Sequence, residues 1–93
     1  MDKELIIIAD YVERIDIEPS FLLLLEEYGL IHIREIENEQ FLRIDELPQV
    51  ERYARMYYDL SINMEGIDAI HHLIERINYL NEELRVLRNR LNF

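Results

Sequence analysis

The chain contains no cysteine, which removes a disulfide framework, a cysteine-based zinc site and a thiol nucleophile. Glycine occurs only as Gly29 and Gly66, so there is no Gly-rich loop to cradle a phosphate, and both glycines read as helix punctuation. Serine occurs only as Ser20 and Ser61, neither in a nucleophile setting. Long hydrophobic runs are missing too. "LIIIA" and "FLLLL" are the longest, far short of the roughly 20 residues a membrane span requires. No basic-then-apolar leader is visible, so a cytoplasmic protein is expected.

Basic residues are scarce: 10 stand against 20 acidic ones, for a formal net charge of -10. The imbalance is local. Residues 1–64 carry a net of -9, and residues 65–93 a net of -1. Nucleic-acid affinity rests largely on Lys and Arg displacing condensed counterions, so this composition argues against a phosphate-backbone partner and toward a basic protein. The plainer reading of the charge is solubility. At 93 residues with 49% hydrophobic content, the chain is expected to hold one small globular unit.

What is present is mostly helical in pattern. After the β-branched run Leu5 to Ile8, Ala9, Tyr11, Val12 and Ile15 take helical spacing, predicting a first helix over about 8–15. Asp16 and Ile17 make a tight turn. Pro19 at a first helical position and Gly29 at a C-cap bracket a second helix over about 19–28, giving a helix-turn-helix. In "IHIREIENEQFLRI", apolar Ile31 and Ile33 pause over polar residues and resume at Phe41, Leu42 and Ile44, which predicts a small hairpin or wing. A third helix is expected from Asp45 or Glu46 to about Tyr58, with Leu47, Val50, Tyr53, Ala54 and Tyr57 on its apolar side. Pro48 is tolerated there because it lies in the first turn. Asn63 is a good N-cap for the last helix.

That last helix carries the cleanest signal in the chain. Ile70, Leu73, Ile77, Leu80, Leu84, Leu87 and Leu91 alternate steps of three and four, an uninterrupted heptad seam with Ile70, Ile77, Leu84 and Leu91 at a and Leu73, Leu80 and Leu87 at d. Met64, Ile67 and Ile74 widen the apolar face only near the start. The early turns are therefore expected to pack on the globular part and the later ones to project as a coiled coil in a homodimer. The alternative is that the seam folds back on the other helices. Isoleucine at the first a positions with leucine at d is the parallel-dimer pattern, with Glu83 able to meet Arg88 of the other chain. Three heptads are short for an isolated coiled coil, so the globular part is expected to contribute to assembly.

Candidate chemistry is thin. Adjacent His71 and His72 point about 100° apart on a helix and cannot share a metal as i, i+4 histidines do. Glu26 and Glu27, like Glu82 and Glu83, are helix neighbours rather than carboxylates facing across a cleft. No catalytic residue, metal site or cofactor is expected. The leucine run Leu22 to Leu25 is more informative. Four adjacent helical positions cover most of the circumference, so at least one leucine must reach the surface. Among the aromatics, Tyr53 and Tyr57 are expected in the core and Tyr58 on the rim.

"IIADYVERIDIEPSFLLLLEEYGLI" resembles the N-terminal helix-turn-helix of MerR-type regulators without a gap, which implies a mainly α fold: a MerR-like winged helix-turn-helix over 1–60, with a small β-wing, and a long C-terminal coiled-coil helix over 61–93 packed on it. The departures are functional. The basic residue and paired aromatics that such regulators present to DNA are Leu23, Leu24 and Leu25 here, and Gln40, Phe41 and Leu42 replace the usual wing motif. MerR relatives dimerise through an antiparallel helix pair, which leaves helix orientation open. "YYDLSINMEGIDAIHHLIERINYLNEELRVLRNRL" further resembles the chaperone modulator CbpM family, through Leu60, Asn63, Gly66, Ile67 and the "RVLRNRL" ending.

That resemblance implies a non-enzymatic inhibitor that binds the J-domain of a DnaJ-like, CbpA-type co-chaperone and blocks its work with Hsp70. It implies no nucleic-acid and no membrane partner. J-domains present a basic helix, so Leu23 with Glu26 and Glu27 would supply an apolar anchor and charge complementarity, and Glu35, Glu37 and Glu39 would extend the field from the wing. Positions 23, 26, 27 and 30 would lie along one helical face. The alternative for Leu23 is packing under the wing; the alternative function is a MerR-like transcriptional regulator or adaptor.

Overall fold

The computed structural model describes residues 4–92. Strand β1 (Leu5–Ile7) runs directly into helix α1 (Ile8–Ile15), which stops where Asp16 adopts the left-handed conformation and the Ile17 N–H reaches back to the Val12 carbonyl. Helix α2 (Pro19–Glu27) opens on proline, whose missing N–H costs nothing in the first turn. It closes in a Schellman arrangement: Gly29 at φ 76° donates to the Glu26 carbonyl and Leu30 to the Leu25 carbonyl. Positive φ is what demands glycine there.

Strands β2 (Arg34–Ile36) and β3 (Glu39–Arg43) form the wing, closed by a two-residue turn in which Glu37 and Asn38 both take positive φ, the backbone of a type I′ hairpin. The sheet order is β1-β3-β2 and all pairings are antiparallel. Two expectations shift. The β-branched run at the start of the chain joins the wing as a third strand, with Ile6 opposite Leu42. Ile31 lies before the hairpin and is buried, because the chain leaving α2 must first cross the core.

The expected third helix is three pieces. A single 3₁₀ turn (Ile44–Glu46) leads into α3 (Leu47–Ala54), which passes into a π-helical turn (Arg55–Asp59). The wider turn is visible in the bond from the Leu60 N–H to the Arg55 carbonyl, five residues back, and Ser61 at φ 57° then ends the segment. Glu46 stands at the N-cap position and opens α3 as expected, though without a side-chain cap bond. Asp45 instead pairs with the Arg43 guanidinium at 2.7 Å. Asn63 does cap helix α4 (Met64–Leu91), accepting from the Gly66 N–H at 2.8 Å. A Cβ on Gly66 would lie 2.7 Å from a methyl of Ile62, so glycine permits this close capping turn.

One core joins these elements. Ile8, Tyr11 and Val12 from α1, Phe21, Leu22 and Leu25 from α2, Leu42 from the wing, Val50 and Tyr53 from α3, and Met64 and Ile67 from α4 are all buried, and no charged or polar residue is buried among the described residues. The first turns of α4 thus belong to the head, as the widened stripe predicts. From Leu73 onward the seam does not fold back: its residues through Leu91 are 46% to 83% exposed. The helix projects, and the molecule measures 54 × 37 × 21 Å.

Candidate functional site

Helix α2 resolves the leucine run residue by residue. Phe21, Leu22 and Leu25 point into the core, Leu24 sits at its edge, and Leu23 is 49% exposed, not covered by the wing. Leu22 and Leu25 therefore anchor the helix and Leu23 presents an apolar group to solvent, with exposed Glu27 one turn on. Glu26 has a structural bond: its Oε2 accepts from the Ile33 N–H at 3.1 Å and holds the chain as it enters the wing. Leu30 does not extend the face, because α2 has already ended and the Schellman turn drives Leu30 into the core.

The wing glutamates are exposed but divided. In an antiparallel pair, residues directly opposite share a face and successive residues alternate. Glu35 pairs with Gln40, whereas Glu39 pairs with Ile36, so Glu35 and Glu39 lie on opposite faces of the hairpin, and Glu37 occupies its tip. The structure thus brings Leu23 and Glu27 together on α2 and distributes the other carboxylates around the wing.

A feature that local spacing does not announce lies at the opposite end of the helix-turn-helix. The α1–α2 turn and the α3 to π-turn segment enclose an open cleft of about 500 Å³ lined by Ile15, Ile17, Ala54, Asp16, Glu51 and Asp59, with Arg55 also present. Tyrosine hydroxyls brace the elements around it and beyond. The Tyr58 hydroxyl accepts from the Glu18 N–H at 3.2 Å, Tyr11 donates to Glu51 at 3.3 Å, and Tyr28 donates to Glu65 at 3.2 Å, tying α2 to α4. Burial, reinforced by the Glu51 charge, pushes the Tyr11 phenol up to about 12. Tyr53 and Tyr57 pack inward and Tyr58 is 42% exposed, matching their expected core and rim placement.

His71 and His72 share Glu75 but differ in their other partners. His71 Nδ1 lies 3.0 Å from the Tyr53 hydroxyl and its Nε2 lies 3.3 Å from Glu75, while His72 faces Asp68 and Glu75. Among the described residues, no group of three His, Cys, Asp or Glu side chains is placed to hold a metal ion. Likewise, no helix of the described residues is long and apolar enough to cross a membrane.

Residues 6–89 match the family described as MerR HTH family regulatory protein. The chain belongs to this family. The match runs through head and projecting helix alike, so α4 is part of the family unit rather than an appendage. Members of this regulatory family are generally non-enzymatic. No curated protein and no solved structure matches the chain.

Proposed function

We propose that this MerR-type chain is a non-enzymatic cytoplasmic modulator that binds the J-domain of a DnaJ-like, CbpA-type co-chaperone and blocks its productive interaction with Hsp70. The observation that carries the reading is the outer face of α2. The helix that DNA-binding relatives equip with a basic residue and aromatics here offers a half-exposed Leu23 beside Glu27, on a head whose residues 1–64 hold a net charge of -9. An apolar anchor beside a carboxylate, on an acidic head, is complementary to a basic amphipathic helix, and occupying that helix denies it to Hsp70. Leu23 and Glu27 form the centre of the contact. The wing carboxylates Glu35, Glu37 and Glu39 act at longer range, as a field that steers encounter, and Glu26 holds the shape of the site through Ile33.

Calorimetric titration with the J-domain at two salt concentrations tests this. Expected is binding that weakens with salt, and a loss of about tenfold or more for Leu23→Lys combined with Glu27→Lys. Unchanged affinity in that double variant removes the α2 face, and absence of binding by the folded wild type removes the J-domain reading. Family membership favours a second reading, a transcriptional regulator or adaptor. It requires salt-sensitive retardation of duplex DNA, which the absence of basic residues from α2 opposes.

A further inference from the structure

We propose that the cleft between the α1–α2 turn and the π-helical turn after α3 takes an arginine from an extended segment of a protein partner, its aliphatic stem on the apolar floor and its guanidinium among the carboxylates. This site is separate from the outer face of α2, so it stands or falls independently of the J-domain reading. The starting observation is the cleft's volume of about 500 Å³, within the range of ligand sites, roughly 300–1,000 Å³. It forms where two segments distant in sequence approach, residues 15–17 and 51–59.

The floor is apolar because Ile15, Ile17 and Ala54 pack against the core yet remain only half-buried. Around them stand three carboxylates, those of Asp16, Glu51 and Asp59, against one guanidinium, that of Arg55. A wholly apolar guest would strip water from these acids with no return, and an anion would be repelled. The lining fits a group that is apolar along its length and positive at its tip. The chain does not supply that charge itself. Among the described residues Asp16, Asp59 and Arg55 enter no ion pair, and Glu51 accepts from the Tyr11 phenol through Oε2 at 3.3 Å.

Tyr58 decides between arginine and lysine. Its hydroxyl is engaged by the Glu18 N–H at 3.2 Å, and its ring meets Phe21 and Tyr57 edge-on, with centroids 5.3 and 5.1 Å apart. The ring is thus held in place while it stays exposed at the cleft. A planar guanidinium can lie on such a ring and still direct N–H groups at carboxylates around its edge, a geometry that an ammonium cannot match. The openness of the cleft decides between a chain segment and a free molecule. Sites for small ligands enclose most of the ligand's surface, whereas an open trough lets a peptide backbone pass over it while one side chain reaches down.

Nuclear magnetic resonance titration of the isotope-labelled full chain with a short amidated peptide, one arginine between two leucines, tests the assignment. Expected are saturable amide shifts centred on residues 15–18 and 54–59. Affinity is expected to fall about fivefold or more for Asp16→Asn combined with Asp59→Asn, and about threefold when lysine replaces the peptide's arginine. Asparagine is chosen because it tolerates the left-handed backbone of Asp16, φ 59°, so the turn is kept. A peptide with glutamine in place of arginine, used on the unaltered chain, is expected to leave these signals unmoved, which makes the test independent of any variant's folding. Glu4→Gln combined with Glu83→Gln removes the same charge from exposed positions outside the cleft and is expected to leave affinity within about twofold. Equal weakening by both double variants would show diffuse attraction to an acidic surface and overturn the site, as would shifts centred elsewhere or no saturable shift at all. Equal binding of the lysine peptide would overturn the choice of arginine, and agmatine bound as tightly as the peptide would replace the partner segment with a free small cation.

Discussion

Ile67 and Ile77 lie on the same helix, yet the first is fully buried against the head and the second is 54% exposed. The difference is not in residue type or helix propensity, which are the same, but in what each turn of α4 finds beside it. Around Ile67, the wing, α2 and α3 close a core with no buried polar residue among those described. Around Ile77 nothing does. The head satisfies its hydrophobic residues within one chain, and the projecting helix carries the same chemistry outward into solvent. The comparison separates residues that make the fold from residues that use it.

The sharpest way to break that comparison is to truncate on both sides of it. Ile67→Ala is expected to cost about 2–5 kcal/mol, the range for deleting a fully buried aliphatic side chain that leaves a cavity. Leu84→Ala, measured at high dilution, is expected to change stability by less than about 0.5 kcal/mol, as exposed sites do. Thermal or urea unfolding of both variants checks the pair. Equal losses would mean that the far seam is packed in the monomer.

Tyr11 sharpens the view of the head from its electrostatics. Its phenol is shifted from the ordinary 10.0 up to about 12 because burial and the nearby Glu51 carboxylate both disfavour phenolate in the folded chain. The neutral form is therefore what folding stabilises. This contribution is whole below pH 10, declines as pH rises from 10 to 12, and is gone above. It is worth on the order of 2 kcal/mol. Urea unfolding as a function of pH is expected to show that decline, and Tyr11→Phe to flatten it while losing about 1 kcal/mol at neutral pH through the missing hydrogen bond to Glu51. A wild-type profile that stays level above pH 10 would remove the assigned shift.

The junction between the two regions gives a smaller effect. Asn63 accepts from the Gly66 N–H and fixes where α4 begins, so Asn63→Ala is expected to cost about 1 kcal/mol. Because Met64 and Ile67 in the first two turns are core residues, the loss should appear in global unfolding of the head and not merely as fraying. Hydrogen exchange confined to the first turn, with no change in the melt, would contradict this coupling.

Much of this was readable from local pattern because the relevant physics is local. Pro19 and Gly29 bracket α2, Asn63 opens α4, and the seam's spacing survives intact because a helix face depends only on residues three and four apart. The split between inward Leu22 and Leu25 and outward Leu23 follows from the same geometry. What local pattern concealed depends on contacts distant in sequence. Leu5–Ile7 becomes a strand only because β3 lies beside it, and nothing in three residues announces that partner. Glu37 in a left-handed turn defies its usual preference, so the wing's register, and with it the separation of Glu35 from Glu39, emerged only from strand pairing. The π-turn at Arg55–Asp59 reads as ordinary helix in sequence, and the cleft beside it depends on the position of the α1–α2 turn. Glu26 illustrates the limit best. Its place on α2 suits a partner, but its carboxylate is bonded to Ile33.

The smallest expected effect tests the central distinction most directly. Leu23 lies between buried Leu22 and half-buried Leu24, yet at 49% exposure it leaves about half its surface to water, and its replacement by lysine keeps the aliphatic stem against the helix while lifting the ammonium into solvent. The new charge also enters a helix whose last turn holds Glu26 and Glu27, so local electrostatics favour rather than oppose it. Leu23→Lys is therefore expected to alter unfolding stability by no more than about 0.5 kcal/mol. The variant's melt must be measured before its binding is interpreted. A melt that coincides with wild type makes any loss of J-domain affinity a loss of contact. A melt lowered by several degrees places Leu23 among the packing residues, and the outer face of α2 would then have to recognise its partner through Glu27 alone.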